Sequence, residues 1–248
     1  MNDDVTTLAI TMAGFGTRFQ AAGYTLPKYM IEAGGRTSFD WSMAGLESYI
    51  RAKAEFIFIV RGADKAMSFI EARAHALGIE RFRIVELPAP TDGQATTAKL
   101  ACDLASPGGP FAIFNIDTAI RPGALRLADA AGDGWIPCFR APGESWSFVR
   151  LDETGKVIEI REKKRISDYA TIGFYWFRSA RQYCDTYDAY YGTPGREERG
   201  ERYVAPLYNH LIAIGERITI TEIPLEDVAA LGTPEDLAKF DPRWVVTK

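Results

Sequence analysis

The hydrophobic pattern of the first half alternates between short apolar runs and amphipathic stretches. The runs have the length of buried strands, and they cover residues 8–12, 55–60, 82–87 and 111–116. Between them, apolar residues recur at the three- and four-residue spacing of helices. This spacing predicts helices over residues 38–52, from a cap at Asp64 to a stop at Gly78, and over residues 94–104. Repeated strand–helix units of this length predict a parallel sheet with helices on both faces.

The second half has a different pattern, in which strand-like segments dominate. These segments cover residues 135–141, 146–151, 156–161, 170–177 and 217–223. Helices are predicted over residues 180–191 and 203–214, and a last helix opens at Thr233-Pro234. No linker-like composition separates the halves. We therefore expect a single domain, 1–248, in which residues 133–248 pack as an extension against residues 1–132.

A glycine-rich turn follows the first predicted strand. It contains Gly14, Gly16 and Arg18, and Lys28 follows after a short polar and aromatic connection. Glycines directly after a buried strand let the backbone approach a ligand closely and turn its N–H groups toward anions. The arginine and the lysine add fixed positive charge. The stretch therefore predicts a site for the phosphates of a nucleotide.

Asp117 ends the fourth predicted strand, and ligands of open α/β sheets sit at the carboxyl ends of the strands. The glycine turn and Asp117 are thus expected on one rim of the sheet. Joining a nucleotide to a second phosphate needs no serine, cysteine or histidine nucleophile, because a phosphate oxygen attacks. The protein must supply cations, backbone donors and a carboxylate that holds Mg²⁺. Arg18, Lys28, Asp117 and Lys163 provide the charged part of that set.

Each of these features also has a purely structural interpretation. A glycine–X–glycine step after a strand is common in α/β proteins. Asp117 could cap the element that follows its strand. Lys163 and Lys164 could line the solvated edge of a hairpin, which is the better interpretation of those two residues taken alone.

Composition narrows the class of protein. The chain of 248 residues is 47% apolar and 25% charged, which is typical of a globular protein. A net charge of −4 without a basic stripe argues against nucleic-acid binding. The widely spaced Cys102, Cys138 and Cys184 predict reduced thiols in a cytoplasmic protein. No apolar run reaches the length of a membrane span, and the acidic start, residues 1–5, is not followed by a signal-type apolar core.

Several motifs in order resemble those of the sugar-phosphate nucleotidylyltransferases (NDP-sugar pyrophosphorylases), over nearly the whole chain. They are MAGFGTRF with PK, Asp117 after the fourth strand, EKK at residues 162–164, ISDYATIGFYWF, YVAPLYN and LGTPEDL. Two motifs are similar to sequences of the bacterial capsule and surface-polysaccharide branch in particular: GERYVAPLYN and the stretch from EKK to ISDYAT. The resemblance implies a Rossmann-like, doubly wound mixed sheet with a nucleotide-binding half, 1–132, and a β-rich acceptor-binding half, 133–248.

The resemblance also implies roles for individual residues. The residues of the glycine turn would bind the triphosphate. Arg18 would contact the departing β- and γ-phosphates, and Lys28 would neutralise charge at the α-phosphate. The nucleotide-binding residues of that turn are Ala13, Gly14, Gly16, Thr17 and Arg18. Gly93 and Gln94 lie where the family reads the base. Nucleotide and then sugar phosphate would bind in order, and the acceptor would displace pyrophosphate in line.

On the acceptor side, the resemblance implies that Glu162 contacts the acceptor group, Lys163 binds its phosphate and Gly173 lies close to it. Asp117 would bind Mg²⁺. Ala230 stands where many relatives carry a second metal ligand. Either Asp227 or Glu226 substitutes, or Asp117 and the phosphates hold the metal alone. A second departure lies around Asp117: this sequence has Asn115-Ile116-Asp117-Thr118 where the family more usually has a glycine followed by the aspartate.

The main hypothesis is therefore nucleotidyl transfer from an NTP to a phosphorylated acceptor, by default a sugar 1-phosphate. A cytidylyltransferase acting on a small non-sugar phosphate is an alternative. A glycosyltransferase of similar architecture is a weaker one, because such enzymes usually hold their metal with a DxD pair and this sequence has none. A non-catalytic relative would be expected to lose Arg18, Lys28 or Asp117. The base, the acceptor and the oligomeric state stay open, a homo-oligomer included; no nucleic acid or membrane partner is expected.

Overall fold

The computed structural model describes residues 5–240. Most of the acidic start, residues 1–4, and the last part of the predicted domain, residues 241–248, lie outside that range. The strands are β1 (Thr7–Thr11), β2 (Glu32–Ala33), β3 (Arg36–Thr37), β4 (Glu55–Arg61), β5 (Phe82–Leu87), β6 (Phe111–Asn115), β7 (Thr118–Ile120), β8 (Gly134–Arg140), β9 (Ser147–Leu151), β10 (Val157–Glu162), β11 (Tyr169–Thr171), β12 (Phe174–Phe177), β13 (Ile218–Glu222) and β14 (Val228–Ala230). The α-helices are α1 (Thr17–Ala21), α2 (Ser38–Ala44), α3 (Glu47–Arg51), α4 (Met67–Ala76), α5 (Gln94–Cys102), α6 (Ala180–Tyr191), α7 (Leu207–Ala213) and α8 (Pro234–Lys239).

One ten-stranded mixed sheet runs through both halves of the chain. Its parallel part has the order β5–β4–β1–β6. The second half joins where β12 pairs antiparallel with β6, and β8, β11, β9 and β10 continue the sheet in antiparallel pairs. Strand β13 lies parallel to β8. The predicted doubly wound mixed α/β fold is confirmed, whereas the functional division at residue 132 stays a prediction.

The sheet is covered on both faces because successive strand residues point to opposite sides. In β1, Leu8 and Ile10 enter the core that contains Phe39 of α2. Ala9, between them, enters the other core with Ala98 of α5. Continuous apolar runs are thus explained by burial on two faces. Among the described residues, no helix has both the length and the apolar character that crossing a bilayer requires.

Three helix predictions differ from the structure, and the first is the helix predicted over residues 203–214, which begins only at Leu207. The predicted helix 38–52 is divided into α2 and α3 at Gly45, where the backbone packs so closely on β7 that a Cβ atom would lie 2.7 Å from Cβ of Ile120. Asp64 does not cap α4, which begins only at Met67. Its carboxylate instead accepts a hydrogen bond from the Tyr29 hydroxyl (3.1 Å) and pairs with Arg61.

The strand predicted over residues 170–177 is also divided. It forms β11 and β12, which are separated at Gly173 by a left-handed φ of +79°. This break lies beside the end of β6, since the backbone N–H of Asn115 donates a hydrogen bond to the carbonyl oxygen of Gly173 (3.1 Å). The interruption therefore belongs to the site described next.

Candidate active site

Two cavities of about 520 Å³ each meet at the carboxyl ends of β1 and β6. The loop cavity is lined by residues 13–17 and 90–94. The hairpin cavity is lined by residues 145–147 and 162–163. Gln94, Asn115 and Asp117 line both. The rim expected from the parallel topology thus carries two adjoining spaces that share one wall.

The glycine turn forms part of the loop cavity. Ala13, Gly14, Gly16 and Thr17 all line it. Gly16 has the left-handed conformation (φ +64°, ψ +33°) that turns the chain from β1 into α1. Arg18 differs from this set, because it is exposed and lines the hairpin cavity and not the loop cavity.

Lys28 and Asp117 meet at the junction of the two cavities. Nζ of Lys28 lies 2.8 Å from Oδ2 of Asp117, and both side chains are partly exposed. Lys28 begins a short 3-10 turn after the extended Pro27, while Asp117 lies in the two-residue turn between β6 and β7. The carbonyl oxygen of Asp117 accepts a hydrogen bond from the amide of Leu231 (2.8 Å). This bond fixes the late strand β14 beside the site.

The wall around Gly93 comes from both halves of the chain. Gly93 has a φ of +146°, and Gln94 begins α5 with its Nε2 donating to Oγ1 of Thr11 (3.1 Å). The amide of Arg202 donates to the carbonyl oxygen of Asp92 (2.8 Å), and the carbonyl oxygen of Arg202 accepts from the amide of Ala95 (2.9 Å). A Cβ atom at position 93 would lie 2.4 Å from that carbonyl oxygen. Sequence reasoning missed this contact.

Glu162 is held at the base of the hairpin cavity. It ends β10, and its carboxylate accepts a hydrogen bond from the Ser147 hydroxyl. The Tyr175 hydroxyl donates in turn to Ser147 Oγ (3.4 Å). Burial raises the pKa of Glu162 above its usual range, against the opposing attraction of Lys163.

Lys163 is directed by a left-handed backbone, with φ +48°. Its Nζ donates to the Tyr203 hydroxyl (2.7 Å), lies 4.5 Å from the centre of the Tyr203 ring and is 3.9 Å from Oε1 of Glu162. Glu162, Lys163 and Gly173 all line the hairpin cavity, so the structure brings together the three predicted acceptor residues. Tyr203, which was not predicted, holds the lysine in place.

The predicted metal ligands do not come together. Asp227 lines neither cavity, is buried and pairs with Arg121, whose guanidinium also bonds the carbonyl oxygen of Glu226 (3.4 Å). Asp227 is therefore engaged away from Asp117. In residues 5–240 no group of three or more histidine, cysteine, aspartate or glutamate side chains is arranged to hold a metal. Asp236, from the first turn of α8, lines the hairpin cavity and was missed.

The junction nevertheless fits a hard cation. Asp117 offers a carboxylate there, and the buried Oδ1 of Asn115 accepts no hydrogen bond from the protein. Carboxylate and amide oxygens are the ligands that Mg²⁺ prefers, usually completed by water and substrate phosphates. The donor set is thus small but of the right chemistry.

Solved structures similar to the chain are nucleotide-handling enzymes. A nucleoside-diphosphate-sugar pyrophosphorylase from Vibrio cholerae RC9 is 36% identical over 97% of this chain and 100% of that one, with a TM-score of 0.85. An inositol-1-phosphate CTP transferase from T. maritima is 14% identical over 99% and 95%, with a TM-score of 0.75. A UDP-glucose pyrophosphorylase from Acinetobacter baumanii is 14% identical over 95% and 91%, with a TM-score of 0.69. The last two share the fold. No protein-family model and no curated protein matches the chain.

Proposed function

The chain belongs to the nucleoside-diphosphate-sugar pyrophosphorylase family and is a nucleotidyltransferase, and from that premise we propose a specific reaction for it. It transfers a nucleotidyl group from an NTP to a phosphorylated acceptor, by default a sugar 1-phosphate, and releases pyrophosphate. The observation that carries this proposal is the pair of adjoining cavities that share Asp117. Two substrates bound in those cavities would bring their phosphates together at one point.

The loop cavity accommodates the NTP. The glycine turn presents backbone N–H groups to the triphosphate, and the wall at Gly93 and Gln94 meets the base. Arg18 lies in α1 directly after the glycine turn, and we assign its exposed guanidinium to the departing β- and γ-phosphates. Since anions approach each other at this site, fixed positive charge is the main contribution of the protein.

The hairpin cavity accommodates the acceptor. Lys163 binds the acceptor phosphate from its position on Tyr203. The Glu162 carboxylate accepts a hydrogen bond from a hydroxyl group of the acceptor. The hydrogen bond from Ser147 and the burial of the side chain hold that carboxylate in one orientation. Both residues line the hairpin cavity, whereas the glycine turn lines the loop cavity, and this separation suits attack from the face opposite the leaving group.

The reaction is an in-line displacement at the α-phosphorus. An oxygen of the acceptor phosphate forms the new P–O bond, and the bond from the α-phosphorus to the bridging oxygen of the β-phosphate breaks, so that its electron pair leaves with pyrophosphate. Lys28 neutralises charge at the α-phosphate and stays oriented by Asp117. Mg²⁺, held by Asp117, would screen the phosphates and stabilise the charge that develops on the leaving group.

A panel assay tests the proposal. The four common NTPs and dTTP are each paired with candidate acceptors, and pyrophosphate release is measured. The panel includes inositol 1-phosphate with CTP, because one similar structure is an inositol-1-phosphate CTP transferase, and small non-sugar phosphates for the cytidylyltransferase alternative. Release with one NTP–acceptor pair above all others supports the proposal. Hydrolysis of an NDP-sugar without any pyrophosphate release would instead favour a glycosyltransferase.

Three broader proposals accompany the reaction. We place the protein in the capsule and surface-polysaccharide branch on its sequence motifs. We assign residues 1–132 to the nucleotide and residues 133–248 to the acceptor within one domain. An NTP substrate, together with the free thiols of Cys102, Cys138 and Cys184, supports a cytoplasmic location.

A further inference from the structure

Asn115 is the last residue of β6, and its side-chain amide is not fully hydrogen-bonded by the protein. Its side chain lines both cavities, and its Oδ1 atom is buried without a hydrogen-bond partner. A buried acceptor without a hydrogen-bond partner destabilises the folded state. Such atoms are rare in folded proteins and call for a specific explanation, of which a missing ligand is one.

The backbone around Gly173 is shaped to receive this amide. A Cβ atom at position 173 would lie 2.1 Å from Oδ1 and 2.2 Å from Nδ2 of Asn115, so no other residue leaves room for it. The same glycine has φ +79° and interrupts the strand between β11 and β12. The break in that strand therefore creates the space in which the Asn115 amide sits.

The position of Oδ1 restricts what it can bind. In the proposed reaction, the phosphates of both substrates meet at the junction that Asn115 lines. An amide oxygen accepts but cannot donate, so it repels phosphate oxygens and suits a cation or a cation-bound water. Asp117 lies two residues further along the chain and lines the same two cavities. Both residues therefore border the junction of the two cavities.

We propose that Oδ1 of Asn115 is the second protein oxygen for the cation held by Asp117, and that Gly173 serves as the positioning residue for its amide. This inference rests on the proposed function. It accounts for the missing ligand on β14, where Ala230 contributes only a methyl group to the hairpin cavity and Asp227 is bound to Arg121. The cation site is built from β6 and its turn.

Terbium luminescence tests the inference without catalysis. Tb³⁺ is a hard, oxygen-preferring ion, and Trp146 and Tyr175 in the hairpin cavity can sensitise its emission. The full chain is titrated with Tb³⁺ alone, and Mg²⁺ is then added to displace it. We expect Asn115→Ala to weaken Tb³⁺ binding about tenfold or more, and Asn115→Asp to bind at least as tightly as the unmodified protein. Asp117→Ala is the reference for loss of the site.

Gly173→Ala supplies an independent variant, because its methyl group would displace the amide while leaving Asn115 in the sequence. Gly155→Ala is the matched control: its φ of +82° imposes the same backbone strain, but nothing lies within 4 Å of its Cβ position. We expect Gly173→Ala to weaken Tb³⁺ binding as Asn115→Ala does, and Gly155→Ala to have no effect on it.

Several results would overturn the inference. Unchanged Tb³⁺ affinity in Asn115→Ala would exclude the amide as a ligand, and if that variant does not fold, weakened binding by Asn115→Asp would do the same. If Asp117→Ala also binds Tb³⁺ normally, the cation site itself is misplaced. Pyrophosphate release in the substrate panel tests the proposed function separately, so failure of one is distinguishable from failure of the other.

Discussion

Nζ of Lys28 lies 2.8 Å from Oδ2 of Asp117, across 89 positions of sequence. The two residues reach each other because Lys28 follows the glycine turn after β1 and Asp117 lies in the turn directly after β6, the neighbour of β1 in the sheet. With side chains that are 18% and 25% exposed, the pair is open to ligands and not sealed in the core. A carboxylate and an ammonium are thus held together where two cavities meet.

Asp117→Ala is expected to remove Mg²⁺-dependent turnover, with a loss on the order of 10³-fold or more in pyrophosphate release. The physical reason is the loss of the carboxylate that orients Lys28 and that we propose as the cation ligand. The fold should survive, because the Asp117 side chain is partly exposed, and circular dichroism checks this. Near-normal release by the variant would contradict the metal assignment.

Lys163→Ala is expected to raise the KM for the acceptor about tenfold or more and to leave the Kd for the nucleotide unchanged. Its ammonium lies in the hairpin cavity on Tyr203, away from the glycine turn. Lys164→Ala is the control, since that exposed neighbour does not line either cavity of the site. Equal losses of acceptor and nucleotide binding would count against the assigned role.

Glu162→Gln is expected to stabilise the protein at neutral pH. Burial raises the pKa of Glu162 in the folded state, so the folded protein binds the proton more tightly than the unfolded chain does. The cost to stability is therefore absent below the pKa of an unfolded glutamate, about 4.3, and grows as the pH rises through the higher folded-state pKa.

Urea unfolding at pH 4 to 8 measures this effect. The variant should unfold at higher urea than the unmodified protein at pH 7, and the difference should shrink toward pH 4. Glu153→Gln, in the exposed turn before β10, is the control and should give no such trend. If the difference in urea midpoint between Glu162→Gln and the unmodified protein stays constant from pH 4 to 8, the pKa of Glu162 is not raised by folding.

Gly93→Ala is expected to reduce both stability and nucleotide affinity. Its Cβ atom would collide with the backbone of Arg202, and its φ of +146° is poorly accessible to alanine. We expect a loss of about 3 kcal/mol in the free energy of unfolding. Gly78→Ala, with φ +74° and open space around its Cβ position, should cost about 1 kcal/mol and leave nucleotide binding unchanged. Equal effects of the two changes would mean that Arg202 does not shape the loop cavity.

Asp227→Asn separates a structural role from metal binding. Removing the charge from a largely buried ion pair weakens the pairing of Arg121 with position 227, and we expect a loss of about 3 kcal/mol in the free energy of unfolding. Tb³⁺ affinity should stay within about twofold of the unmodified protein, because the carboxylate lies outside both cavities. A tenfold drop in that affinity would restore Asp227 as a metal ligand.

The parallel half of the fold was predictable because its signals are local. Buried strands are continuous apolar runs, and parallel strands present their carboxyl ends on one rim, so the sequence alone predicted that the glycine turn and Asp117 share that rim. The identities of their side chains then suggested phosphate chemistry directly.

What escaped prediction depends on contacts between distant segments. The backbone bonds from Arg202 to Asp92 and Ala95 require no particular side chain, so they leave no mark in the sequence. Asp227 was a reasonable substitute for Ala230 by distance along the chain, but Arg121 on the neighbouring segment binds its carboxylate instead. The unpartnered Oδ1 of Asn115 could not be predicted, because it depends on the packing of its side-chain amide against Gly173, 58 residues later in the chain.

The pairing of β12 with β6 has a consequence for how the protein is made. Until residues 174–177 leave the ribosome, the apolar β6 has no partner on one side. An open apolar edge of this kind is a template for association with other chains. We therefore expect the nascent chain to depend on chaperones, or on fast synthesis, over the interval between these two strands.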